Sequence, residues 1–220
     1  MALVEGNVTT DLQTPGFGGS PIVIAHNQDA GSDKYIVVIS VMANTTSYTG
    51  CTYNGTAMTE IRQDVSTSYG RMVIYGLATS DSGSNNVSLS LAADQYNPVS
   101  TMVVSFTGCG GVGNDGFTED AGPPATTTYS VSENSVIIGH ILTGTATSTS
   151  IEIPNGTTIG LDITNANVNN IHNAGVSGSL SSGSVVSEGN GNTTVAIQTV
   201  EITEAGGGGP TDTLKMFHVW

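Results

Sequence analysis

Short runs of β-branched and aromatic residues recur at 21–26, 35–42, 69–77, 87–91, 101–107, 135–142, 158–163 and 194–202, parted by clusters of Gly, Asn, Asp and Ser. Apolar positions never hold helical spacing for long before Gly, Thr or Val interrupts them. This rhythm predicts an all-β chain, folded as an antiparallel two-sheet sandwich or a closed barrel. In 35–42 both alternating sets are apolar, which predicts a deep strand. In 101–107, Met102, Val104 and Phe106 alternate with Ser105 and Thr107, a one-sided pattern that predicts an outer sheet.

Asn54-Gly55 supplies the two positive φ angles of a type I′ turn. Tyr53 then pairs with Thr56, Cys51 with Met58 and Thr49 with Glu60, so that Cys51, Tyr53, Thr56 and Met58 share a face, expected to point inward. From 108 to 128 the chain carries Gly110-Gly111, Asn114-Asp115-Gly116 and Pro123-Pro124, which predicts a long exposed loop. No fixed-period repeat is visible, which argues against a solenoid or propeller. Four glycines and a proline at 206–210 predict a linker after a domain spanning 1–205. Residues 211–220 form an apolar C-terminal tail with Leu214, Met216, Phe217, Val219 and Trp220. That tail either folds back on its own domain or adds to a neighbour as an assembly contact.

Charge narrows the choice of partner. Four Lys plus Arg stand against 18 Asp plus Glu, a net charge of −14 that repels nucleic acid and anionic lipid. The longest apolar stretch, 35–42, is broken by Ser40, so no membrane-inserting helix is expected. The first residues lack a secretory signal, yet the low charge and the abundance of Gly, Ser, Thr and Asn suit a protein working outside cells.

Candidate chemistry is sparse. Gly-x-Ser-x-Gly, His-Glu-x-x-His, Walker and Cys-x-x-Cys patterns are missing from the sequence, and the expectation is a non-enzymatic chain with no catalytic residues. His140 shares parity with Val136, Ile138 and Leu142 and reads as a core histidine, whereas His26, His172 and His218 are isolated. Asp29 to Asp33 and Asn114 to Asp120 gather oxygen ligands, but in the residue types that any turn prefers, so neither a metal nor a cofactor is expected. Cys51 and Cys109 are expected as buried free thiols. Lys34, Arg62 and Arg71 are expected to pair with acidic neighbours such as Glu60 or Asp64. Asn-x-Ser/Thr sequons, beginning at Asn7, arise by chance in a chain of this composition.

Several segments carry a resemblance. Cys51-Thr-Tyr-Asn-Gly-Thr-Ala-Met-Thr-Glu60, Gly70-Arg-Met-Val-Ile-Tyr75, Val87-Ser-Leu-Ser90, Val103-Val-Ser-Phe-Thr-Gly108 and Val195-Ala-Ile-Gln-Thr-Val-Glu-Ile202 resemble a jelly-roll, lectin-like β-sandwich family of bacteriophage structural and bacterial surface proteins. The resemblance spans about 21–203 and brings no catalytic residues; the linker and tail depart from it. It implies a virion component, a capsid decoration or an appendage, made in the host cytoplasm and acting outside by contact with its own copies and other virion proteins. The alternative is an adhesin module for cell-surface glycans, with Tyr96, Phe117 and Tyr129 as aromatic platforms.

Overall fold

The computed structural model describes residues 2–13, 19–42, 46–66, 70–93, 99–120, 126–129, 135–143, 150–152, 183–188 and 195–206. The predicted strand at 158–163, Tyr96, His172, His218 and the tail lie outside them. The regular structure of the described residues is all β, and every pairing between strands is antiparallel.

Strands β1 (Val4–Gln13), β2 (Ile22–Gln28), β3 (Lys34–Met42), β4 (Tyr48–Tyr53), β5 (Thr56–Ala57), β6 (Thr59–Ser66), β7 (Gly70–Thr79), β8 (Gly83–Leu91) and β9 (Val99–Thr107) build two facing sheets. The central sheet has the order β1-β9-β3-β7-β6, and the outer sheet the order β2-β8-β4-β5. Their shared core sets Ile36, Val38, Val73, Tyr75 and Val103 against Ile22, Ile24, Tyr53, Val87 and Leu89. One polar chain crosses it: Tyr48 donates its hydroxyl to Ser40 Oγ at 3.0 Å, and Ser40 Oγ lies 2.8 Å from Thr101 Oγ1. Satisfied in this way, the buried hydroxyls avoid the cost of about 1–3 kcal/mol that an orphan would carry.

A third sheet covers the other face of the central one. It comprises β10 (Cys109–Asp120), β12 (Val136–Thr143) and β15 (Val195–Glu204) in the order β10-β15-β12. Its Val136, Ile138, Val200 and Ile202 pack on Val37, Ile39, Ile74, Met102, Val104 and Phe106. A fourth sheet, β11 (Thr126–Tyr129), β13 (Ser150–Glu152) and β14 (Gly183–Glu188), has the order β11-β14-β13 and lies against β10 and β15.

The stacking refines the two-sheet expectation. The apolar run of β3 is buried on both faces because each face meets a different sheet. The one-sided reading of β9 fails for the same reason: Ser105 and Thr101 are buried beneath the outer sheet, where they form hydrogen bonds, while Met102, Val104 and Phe106 meet the third sheet. The expected loop at 108–128 is largely strand β10, paired with β15 through two register shifts.

The hairpin stands as drawn near its turn. Asn54 and Gly55 have φ of 47° and 79°, Tyr53 pairs with Thr56, and Met58 N donates to Cys51 O at 2.9 Å. Cys51, Tyr53 and Met58 point inward, but Thr56 is exposed. The Thr49–Glu60 pair does not form, because the chain crosses to the central sheet after Met58 and Glu60 pairs with Tyr75 of β7.

Candidate functional site

Of the proposed aromatic platforms, Phe117 sits half-buried on β10 against Val41, Met72 and Ala196, with the Arg62 guanidinium 5.9 Å from its ring centroid. The ring is thus employed between sheets. Tyr129 closes β11, opposite Gly183 in the register, and His140 lies opposite Gln198 in β12.

Two carboxylates occupy matching niches: Asp29, weighed from the sequence only as an oxygen ligand in a turn, and Glu201, which the sequence did not single out. In β1 a bulge places Gly6 and Asn7 opposite Ser105 alone, between the pairs Glu5–Phe106 and Val8–Val104. Asp29 Oδ2 accepts the Asn7 backbone N–H at 2.8 Å and the Ser105 hydroxyl at 3.1 Å, and Oδ1 accepts Asn7 Nδ2 at 2.8 Å. A Cβ at Gly6 would overlap the Asp29 carboxylate. In β10 a second bulge places Gly113 and Asn114 opposite Glu201, between the pairs Val112–Ile202 and Asp115–Val200. Glu201 Oε2 accepts the Asn114 backbone N–H at 2.9 Å and Asn114 Nδ2 at 3.2 Å, and a Cβ at Gly113 would overlap that carboxylate. The signal was a Gly-Asn step inside a strand, where an extra residue frees a backbone donor and glycine leaves room for its acceptor.

A second cluster clamps the edge of the central sheet to the third. Arg62 of β6 donates to Asp64 and to Asp115 of β10, each at 2.5 Å, which raises its pKa, chiefly through Asp64. Gln198 Nε2 donates to Asp64 Oδ2 at 2.7 Å, and Ser66 Oγ to Glu119 Oε1 at 3.0 Å. The expected pairing of Arg62 with Asp64 therefore holds and extends across the layers. Arg71 donates to Gln63 at 3.3 Å, and Lys34 Nζ to Ser80 O at 2.6 Å.

Among the described residues, His26 and both cysteines are buried. Burial lowers the pKa of His26, with Asp29 acting in the opposite direction, and its Nδ1 lies 2.9 Å from Thr9 Oγ1. His26 Nε2 and the Gln28 amide are buried with no hydrogen-bond partner among the described residues. Cys51 and Cys109 are free and buried, as expected, and burial pushes their thiols up to about 12 and about 11, far from thiolate reactivity. On the outside, a depression of about 450 Å³ on the outer sheet is lined by Thr52, Asn54, Gly55, Ser84, Asn85, Asn86 and Ser88, all uncharged. Comparison with family models, with curated proteins and with solved structures finds no match to this chain.

Proposed function

We propose that this chain is a non-enzymatic structural component of the jelly-roll kind, a capsid decoration or appendage protein of a bacteriophage that works by assembly and surface contact. The observation that carries the reading is how the reactive side chains are used. Asp29 and Glu201 cap bulges, Arg62 and Asp64 clamp layers, and both thiols lie in the core. The jelly-roll assignment draws on strand pairing: β1 with β9, β2 with β8, β3 with β7 and β4 with β5 are four nested antiparallel pairs shared between two facing sheets. A net charge of −14 keeps such particles apart and away from packaged nucleic acid.

In this reading the tail residues Leu214, Met216, Phe217, Val219 and Trp220 anchor the chain to its neighbours. Sedimentation of the full chain against one lacking 206–220 tests it. Loss of self-association with an unchanged β-sheet spectrum supports the tail as anchor, and unchanged association rejects it. The glycan-binding alternative is favoured by one observation, the uncharged hydroxyl and amide lining of the outer-sheet depression, which suits neutral sugar hydroxyls. Binding on a glycan array that Ser88→Arg abolishes would support it.

A further inference from the structure

The two bulges are one correspondence among many. Strands β1, β2, β3, β4, β8 and β9 fall in turn to the central, outer, central, outer, outer and central sheets, giving β1-β9-β3 and β2-β8-β4. Strands β10, β11, β12, β13, β14 and β15 fall to the third and fourth sheets in the same succession, giving β10-β15-β12 and β11-β14-β13. The registers agree too. Val8, Val104 and Val37 stand abreast across the central sheet, as Asp115, Val200 and Ile138 do across the third. Beyond the bulge, Glu5, Phe106 and Tyr35 match Val112, Ile202 and Val136. Both β8 and β14 open on a Gly-Ser step, and Gly83 and Gly183 pair with the last residues of β2 and β11.

We infer that strands β1–β4 with β8 and β9, and strands β10–β15, are two copies of one strand unit fused in tandem, and that the apolar outer face of the central sheet is a self-recognition surface whose partner is the equivalent face of the second copy. The packing is face to face. Val37, Val104 and Phe106 share one core with their own counterparts Ile138, Val200 and Ile202, so the two copies meet through the same surface. The junction is a single residue, Gly108. Its N–H reaches Ser32 O at 3.1 Å, its carbonyl accepts Ala205 N–H at 2.7 Å, and the next residue, Cys109, donates to Asp33 O at 2.8 Å. These bonds fix one unit against the other. The inference is independent of what the assembled protein contacts.

The full chain carrying Val200→Asp tests it, with Val200→Ala as the milder variant. Residue-resolved hydrogen exchange reads each layer separately. If each unit closes on its own, amides of β2 and β8 keep their protection within about threefold while those of β12 and β15 lose a hundredfold or more in the Asp variant. The uncovered first unit then recruits a second chain through the same face, doubling the sedimenting mass relative to the parent, and adding Val104→Asp reverses the doubling. Equal loss of protection in β2, β8, β12 and β15 in both variants shows one indivisible core and overturns the fusion. Preserved β2 and β8 without the doubling overturns self-recognition.

Discussion

The niches at β1 and β10 solve one problem with different parts. Each bulge frees the backbone N–H of an asparagine and needs an acceptor for it. In β1 the acceptor comes from Asp29, beyond the end of β2, and the residue facing the bulge is Ser105, which donates to the same carboxylate. In β10 the facing residue is itself the acid, Glu201, long enough to reach the asparagine from the neighbouring strand. The backbone geometry fixes the demand for an anion and for a glycine beneath it, and leaves open which residue supplies the anion.

Glycine substitutions strain this comparison most. Gly6→Ala drives a methyl group into a carboxylate held by three donors, and urea denaturation should show a loss of about 2–3 kcal/mol. Gly113→Ala should cost less, about 1–2 kcal/mol, because the longer Glu201 side chain bends away more easily. Equal losses would mean that the source of the carboxylate is immaterial. Next come the asparagines. Asn7→Ala removes side-chain donations to Asp29 and to Asn27 O, about 1–2 kcal/mol, and Asn114→Ala removes a longer bond to Glu201, about 0.5–1.5 kcal/mol. A larger loss at Asn114 would reverse the order of the two niches.

A pH profile separates the two faces of β1. Burial pushes Glu5 up to about 7 from 4.5, so the folded chain keeps a proton there that the unfolded chain has released. Its contribution to stability is full below about pH 4.5 and is lost as pH rises through 7. Melting temperatures of Glu5→Gln and its parent should therefore diverge in that window, the variant lacking this decline. Superimposable curves would place Glu5 in solvent. The smallest effect is expected at Gly50, where a Cβ meets open space: Gly50→Ala should change stability by no more than about 0.5–1 kcal/mol, in the stabilising direction. A loss there would show that strand glycines matter here through the backbone and not through the space above them.

Much of the fold was legible where side-chain alternation survives. Burial of β2 alternates residue by residue, and β3 reads as buried on both sides, as its two-sided apolar pattern required. The turn at Asn54-Gly55 followed from chemistry confined to two residues. Strand β10 was illegible because bulges reset its parity and its glycines imitate a loop. Strand β9 misled for another reason: a serine facing a neighbouring sheet looks the same in sequence as a serine facing water, and only the partners Asn7 and Asp29 distinguish them. The doubling of the strand unit was hidden too, since it lies in strand order and register, while the facing residues Ser105 and Glu201 share no chemistry.

The pairing of β1 with β9, and the covering of both by a sheet that closes only through β15, imposes a schedule on synthesis. The first half can shut once residue 107 has left the ribosome, but Val37, Val104 and Phe106 then face solvent until 195–204 emerge. At translation speeds of 5–20 residues per second this interval lasts on the order of 4–18 s. Throughout it the nascent chain carries a sticky, self-complementary patch among its siblings on a polysome, so yield should depend on chaperone supply and on how densely the message is loaded.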